Sequence, residues 1–105
     1  MNLRITYRQS GGYAGLFRGC TIDAAALKAA EAKALGRLVQ AAALAQMKSA
    51  KTEGIPDLLV HDLSIQTDAG TRELSFDDLT LPEALRPLVE FLDPRCKPMA
   101  PPPWV

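Results

Sequence analysis

Few side chains in this sequence of 105 residues carry nucleophilic or acid–base chemistry. The chain has one histidine, His61, and two cysteines, Cys20 and Cys96. His61 lies in a run of alternating apolar residues, where it can be either a general base or a hydrogen-bonded histidine of a sheet. Because an enzyme of this size needs several such groups to converge, we expect a protein without catalytic residues.

The two cysteines differ in their sequence surroundings. Cys20 falls on the apolar side of an alternating run, which favours a small buried hydrophobe over a reactive nucleophile. Cys96 lies in the segment Pro94–Pro98, where neighbouring cations can lower the pKa of a thiol, but we expect the segment to be an exposed tail. Their wide separation and the lack of paired spacing favour neither a disulfide framework nor a structural metal site.

A glycine-rich segment, Ser10-Gly11-Gly12-Tyr13-Ala14-Gly15, permits three interpretations. A phosphate-binding loop is disfavoured, because the segment leads into alternating residues and not into a helix. A hairpin turn that uses the conformational freedom of glycine is the structural interpretation. An exposed binding loop is the third, with Tyr13 at its tip and Phe17 and Arg18 nearby, since aromatic residues and arginine are enriched at protein interfaces.

The composition excludes several classes of function. Twelve Lys and Arg residues balance twelve Asp and Glu residues, so the chain lacks the positive charge that favours nucleic-acid binding. Hydrophobic residues make up 48% of the chain, as is usual for one globular domain. The absence of a long apolar run, and the alternation in the first residues, predict a cytoplasmic protein that is neither exported nor embedded in a membrane.

The apolar residues predict two β-hairpins separated by a long helix. Alternation with a period of two predicts four strands, at 3–9, 16–22, 59–66 and around Leu74 and Phe76. Asp23 is the predicted N-cap of the helix, which can divide near residues 36–43. We read Asp77 and Asp78 as turn formers with solvated charge.

A second, shorter helix is predicted near the C-terminus. Thr80 and Glu83 have the spacing of a capping box, and four apolar residues at helical spacing follow: Leu85, Leu88, Val89 and Leu92. Together the elements predict an α+β domain, a four-stranded antiparallel sheet with both helices on one face (β-β-α-β-β-α), over residues 1–93. Residues 94–105 are predicted to be a Pro-rich tail.

Two segments carry a resemblance to a known family: Arg8-Gln9-Ser10-Gly11-Gly12-Tyr13-Ala14-Gly15, and Leu81-Pro82-Glu83-Ala84-Leu85-Arg86-Pro87-Leu88-Val89-Glu90-Phe91-Leu92. With these, the chain resembles the emfourin family of small bacterial protealysin inhibitors over roughly residues 2–93. The resemblance implies a cytoplasmic inhibitor of thermolysin-like (protealysin-like) zinc metallopeptidases, with no catalysis and no cofactor of its own. The zinc ion belongs to the peptidase.

An inhibitor needs a stiff surface, because ordering a loop on binding lowers affinity. We therefore expect the glycine-rich hairpin to contact the peptidase, with Tyr13 as an anchor and Arg18 as a charge at the rim. The predicted contact residues are Ser10, Gly11, Gly12, Tyr13, Ala14, Gly15 and Arg18. The loop from Lys51 to Asp57 is a second candidate. The alternative function is a non-catalytic interaction or accessory module with an unknown partner.

Overall fold

Five strands and two helices make up the folded structure. The computed structural model describes residues 2–11, 16–42, 47–54 and 58–98 of the chain. The elements are β1 (Leu3–Gly11), β2 (Leu16–Asp23), α1 (Ala29–Ala41), β3 (Leu59–Thr67), β4 (Gly70–Asp77), α2 (Arg86–Leu92) and β5 (Lys97–Pro98). The prediction of an α+β fold with an antiparallel sheet and two helices is confirmed.

The sheet has five strands in the order β4-β3-β1-β2-β5, so the predicted count of four was wrong. The additional strand pairs antiparallel with β2, with Lys97 opposite Gly19 and Pro98 opposite Arg18. A proline is tolerated there because an edge strand does not need every amide for pairing. The division of the chain at residue 93 stays a prediction, although the described structure continues to Pro98.

The central strand β1 pairs along its whole length with β2 on one side and β3 on the other. Its burial alternates as predicted, with Leu3, Ile5, Tyr7 and Gln9 buried on the helix-covered face. The intervening residues lie on the opposite face, which we call the open face. An uninterrupted register on both sides fixes which residues of three strands share each face.

Both helices contribute leucines to the core on the helix-covered face. Leu35 of α1 and Leu88 and Leu92 of α2 are fully buried. Arg95 links the helices, because its guanidinium lies 2.8 Å from Glu31 of α1 and 4.0 Å from the centre of the Phe91 ring. The helix pair thus covers one face of the sheet through apolar packing and one ion pair.

The first helix begins later than predicted. The Asp23 side chain accepts from the amide of Ala25 at 3.0 Å, but it caps only a 3₁₀ turn, Ala24–Ala26. Leu27 and Lys28 are then extended, and α1 starts at Ala29. Leu27 packs against the core, which accounts for the break between turn and helix. The predicted division is not seen up to Ala41, and residues 43–46 lie outside the described part.

The predicted capping box at Thr80 was wrong. Leu81 precedes a proline and is therefore disfavoured in helical conformation, so Pro82 becomes the N-cap, without a side-chain bond, of a 3₁₀ turn, Glu83–Leu85, that precedes α2. The Thr80 hydroxyl instead accepts from the Asp77 amide at 3.0 Å and donates to the Ala50 carbonyl at 2.6 Å. The Thr–Glu spacing thus falls on a turn and not on a helix start.

Asp77 organises that turn, and the prediction that its charge is solvated was wrong. It is 2% exposed, and one carboxylate oxygen accepts from the amides of Leu79 at 2.8 Å and Thr80 at 3.0 Å. The other oxygen accepts from the amide of Thr52. The Thr52 amide is the main reason that the pKa of Asp77 falls from 3.8 to about 2.

Short segments pair with the sides of β4 and β2 that face away from the centre of the sheet. Beside β4, Ala50 forms a parallel bridge with Phe76 and donates to the Ser75 carbonyl at 3.1 Å. The Ser49 hydroxyl accepts from the Ser75 amide at 2.9 Å. Beside β2, the covering segment is β5.

The depressed pKa of Asp77 predicts a pH dependence of stability. The folded state holds the pKa of this carboxyl below its usual value. The stability that the Asp77 carboxylate contributes is therefore fully present above about pH 4 and is lost as the pH falls toward about 2. We expect Asp77→Asn to lower the free energy of unfolding at neutral pH and to flatten its fall between these pH values. Urea unfolding across the acid range measures both effects.

Asp68→Asn is the matched control, since Asp68 is exposed in the β3–β4 turn and accepts one bond from Asn2. It should keep the parent's acid dependence. An equally steep acid limb in Asp77→Asn would show that Asp77 does not cause it.

Candidate functional site

One end of the sheet brings together several segments that are distant in sequence. Gly11 pairs with Leu16 on one side and with Leu59 on the other, and Val60 pairs with Asp77. The β1–β2 hairpin, the start of β3 and the turn after β4 therefore share this end. We call it the hairpin end; its described residues are 10, 11, 16, 17, 58–60 and 77–80.

Of the predicted contact residues, Ser10, Gly11 and Arg18 are described, and Gly12, Tyr13, Ala14 and Gly15 lie outside the described residues. Ser10 is half-buried and pairs with Phe17 and Val60. Since paired residues of antiparallel strands lie on the same face, these three occupy the open face at the hairpin end.

The second candidate loop starts at the same end of the sheet. The Thr52 amide donates to Asp77, at the end of β4. Leu58 lies next to Gly11, on the other side of residues 55–57, which are outside the described part. The two candidate loops are therefore neighbours, and contact by one does not exclude contact by the other.

Several apolar side chains at the hairpin end are exposed or half-buried. Leu79 is 64% exposed, which among the described residues is unusual for a large apolar side chain. Four others at this end are half-buried: Phe17, Leu58, Leu59 and Val60. At the opposite end, residues 67–71 are exposed and largely polar. Leu79 was not among the residues predicted from the sequence. A leucine directly after two aspartates in a predicted turn nevertheless indicates an exposed apolar side chain.

Gly11 has a definite structural role at the base of the hairpin. Its φ is +88°, a left-handed conformation that glycine adopts without strain. A Cβ atom there would lie 2.9 Å from the Leu58 carbonyl oxygen, closer than van der Waals contact allows. Gly11 thus allows β1 and the start of β3 to approach closely where the hairpin leaves the sheet.

Arg18 lies on the helix-covered face, where its guanidinium contacts the C-terminal segment. Nη1 is 2.8 Å from a carboxylate oxygen of Asp93, and Nη2 donates to the Asp93 carbonyl at 3.1 Å. Nη1 also donates to the Gln9 side-chain oxygen at 3.3 Å. The structure therefore brings Arg18 together with Gln9 and Asp93, while its predicted contact with a partner stays a prediction.

His61 belongs to a hydrogen-bonded network beneath the hairpin end. It is 4% exposed, with Nδ1 at 2.7 Å from the Tyr7 hydroxyl and Nε2 at 2.7 Å from an Asp78 carboxylate oxygen. In the neutral ring Nε2 donates to the Asp78 carboxylate, so Nδ1 accepts from the Tyr7 hydroxyl, which itself accepts from Gln9 at 2.8 Å. The interpretation as a hydrogen-bonded histidine of the sheet is confirmed.

The order Asp78, His61, Tyr7 has the arrangement of a proton relay, but its terminal hydroxyl lies inside the core. Tyr7 is fully buried, and burial raises the pKa of its hydroxyl well above the usual value. The Tyr7 hydroxyl is hydrogen-bonded to His61 and to Gln9, which are both buried. These contacts give the network a structural role. The signal in the sequence was the two polar residues, Gln9 and His61, at core-facing positions.

Within the part of the chain that the structure describes, no three His, Cys, Asp or Glu side chains lie close enough to hold a metal ion. No described helix is long and apolar enough to span a membrane.

A family model described as Emfourin matches residues 7–93. The matched range includes the glycine-rich segment, the His61 network and α2. Comparison with curated proteins and with solved structures gives no match.

The close approach at Gly11 predicts a large effect of one added methyl group. We expect Gly11→Ala to destabilise the fold by about 2–4 kcal/mol, because both the positive φ and the contact with Leu58 oppose it. Chemical denaturation of parent and variant measures the difference.

Gly54→Ala is the matched control. Its φ is +79°, similar to that of Gly11, but no described atom lies within 4 Å of the position that its added Cβ atom would take. We expect it to cost about 1 kcal/mol, from the backbone alone. Equal losses in the two variants would show that the contact with Leu58 adds nothing.

Proposed function

The chain belongs to the Emfourin family, and we propose that it is a proteinaceous inhibitor of thermolysin-like zinc metallopeptidases. It acts by direct contact with the peptidase cleft and contributes neither a cofactor nor a catalytic residue. The observation that carries the proposal is the family match over residues 7–93. We also propose a bacterial, cytoplasmic setting, in keeping with the family resemblance.

We assign the contact to the hairpin end of the sheet. Protein interfaces have an apolar centre surrounded by polar groups, and this end combines exposed Leu79 with half-buried Phe17 and Val60. The described start of the glycine-rich segment, Ser10 and Gly11, lies here. In the proposal Tyr13 is the anchor that enters the cleft, and Leu79 adds apolar contact.

The base of this surface is rigid, which favours tight binding. Ser10 and Gly11 pair with β2 on one side and with β3 on the other. One step below, Gln9 is fixed by its side-chain bonds to Tyr7 and Asp93. A contact surface held in this way loses little conformational entropy on binding.

Arg18, which was expected from the sequence only as a charge at the rim of the contact, has a second role in the proposal. Its side chain is 25% exposed and its charge is paired with Asp93. We therefore assign it mainly to holding the C-terminal segment against the hairpin base, with the exposed part of the guanidinium at the rim of the contact.

Inhibition is tested by titrating a thermolysin-like peptidase, preferably that of the same organism, with the purified protein and a small peptide substrate. We expect a stoichiometric loss of activity that added zinc does not restore, because inhibition proceeds by contact and not by removal of the metal. Unchanged activity would contradict the proposal and favour the alternative, a non-catalytic interaction or accessory module.

The location of the contact is tested with two single variants. Tyr13→Ala and Leu79→Ser should each weaken inhibition by about tenfold or more, as expected for anchors near the centre of an interface. The thermal unfolding of Leu79→Ser should match that of the parent, since Leu79 is mostly exposed. The thermal unfolding of Tyr13→Ala is measured alongside, so that a loss of inhibition is compared at known stability.

Ala69→Ser is the control at the opposite end of the sheet, in the exposed β3–β4 turn. It should inhibit as strongly as the parent. Full inhibition by Leu79→Ser and Tyr13→Ala would remove both residues as anchors of the contact while leaving the inhibitor function intact.

A further inference from the structure

Folding brings the two cysteines into contact. Cys20 of β2 and Cys96, just before β5, are 76 positions apart in sequence, but their sulfur atoms lie 3.7 Å apart. Both are free thiols. The separation in sequence, which argued against a disulfide framework, therefore does not reflect their separation in space.

Strand pairing brings these residues to the same place in the sheet. β2 and β5 pair Arg18 with Pro98 and Gly19 with Lys97, and Cys20 and Cys96 are the residues next to the Gly19–Lys97 pair. Their sulfur atoms lie 3.7 Å apart, so the two side chains are already in contact. A disulfide brings the sulfur atoms to about 2 Å and therefore needs only a small movement.

We propose that Cys20 and Cys96 are a reversible redox pair, whose disulfide is formed by low-molecular-weight disulfides and fastens the C-terminal segment to β2. The proposal is independent of the inhibitor function. A disulfide of this kind in a reducing compartment is typically transient and responds to the redox state.

The chemistry is two successive thiol–disulfide exchanges. The Cys20 thiol loses its proton and attacks one sulfur of the small disulfide, whose S–S bond breaks and releases one small thiolate. The Cys96 thiol then loses its proton and attacks the Cys20 sulfur, forming the protein disulfide and releasing the second small thiolate. The released thiolates take up the two protons, so two protein thiols are oxidised and one small disulfide is reduced.

The surroundings of the two sulfurs make this exchange slow. Burial is the main cause that raises the pKa of Cys20 from 9.0 to about 12, and it also raises the pKa of Cys96, opposite to the lowering expected from its cationic neighbours. Both thiols contact the Leu92 carbonyl oxygen, at 3.7 Å and 3.5 Å respectively. Cys20 is half-buried and Cys96 is 8% exposed, so Cys20 is the first to meet an oxidant.

The bond would add a covalent link to an attachment that is otherwise non-covalent. β5 has two residues, and the same segment is held by the contacts of Asp93 with Arg18 and Gln9 and by the ion pair of Arg95 with Glu31. A covalent link from β2 to Cys96 encloses most of the folded chain in one loop, and long loops give the largest reduction in unfolded-state entropy.

The test starts with fully reduced protein equilibrated with oxidised glutathione, followed by thiol alkylation and mass measurement. We expect a monomer that has lost two hydrogens and resists alkylation, with Cys20 and Cys96 joined in one peptide pair after digestion. Its melting temperature should exceed that of the reduced form by roughly 10 °C or more. Returning it to excess reduced glutathione should restore both thiols.

Cys20→Ala and Cys96→Ala are the controls. Each should gain at most one glutathione and show no comparable rise in melting temperature. Two separate glutathione adducts on the parent, persistently free thiols, or linkage only between molecules would overturn the proposal. An internal disulfide without a rise in melting temperature would contradict the fastening role.

Discussion

Burial of Gln9 on the central strand is the constraint that ties the rest of the molecule together. Gln9 is 7% exposed, and a buried side-chain amide without hydrogen-bond partners costs free energy. It donates to Tyr7 and Asp93 and accepts from Arg18. Through Tyr7 the network reaches β3, and through Asp93 it reaches the segment after α2. Among the described residues, every buried side-chain nitrogen and oxygen has a hydrogen-bond partner, so this polar layer is satisfied throughout.

The hydrogen-bonded network and the hairpin end follow one another along the same strands, with Gln9 and His61 directly before Ser10 and Gly11. Below them, leucines and aromatic rings form an apolar core. At the level of Gln9 and His61 the core becomes polar, and Ser10 and Gly11 are the last described residues of β1 above it. Because the polar layer requires directional bonds, it sets the position of each strand more narrowly than apolar packing does. The glycine-rich segment is thus presented from a well-fixed base.

The sequence was sufficient for the features that depend on local pattern. Alternation around Ile5 and Leu63 identified the strands and their buried face, because the period of two follows from strand geometry alone. It was insufficient where distant contacts decide the outcome. Lys97 and Pro98 are too few residues to show the alternation of a strand, and only their pairing with β2 makes them one. Nothing in the sequence around Asp77 distinguishes a solvated carboxylate from a buried one. Its burial and its bond to the Thr52 amide depend on a segment that is distant in sequence. For the candidate site, the glycine-rich segment and Arg18 could be named from the sequence, whereas the ion pair of Arg18 with Asp93 could not.

The segments that pair beside β4 and β2 restrict where an extended peptide can join the sheet. Proteins commonly capture an extended peptide by adding it to a free strand edge through main-chain hydrogen bonds. Here the outer side of β4 is occupied near Phe76 by Ala50, and the outer side of β2 is occupied near Gly19 by Lys97. At these points the backbone amides are already paired and are not available to an added peptide strand. The same pairing opposes edge-to-edge association of two copies of the chain at these points. Near Phe76 and Gly19, a partner can therefore bind through side chains and loops and not by extending the sheet.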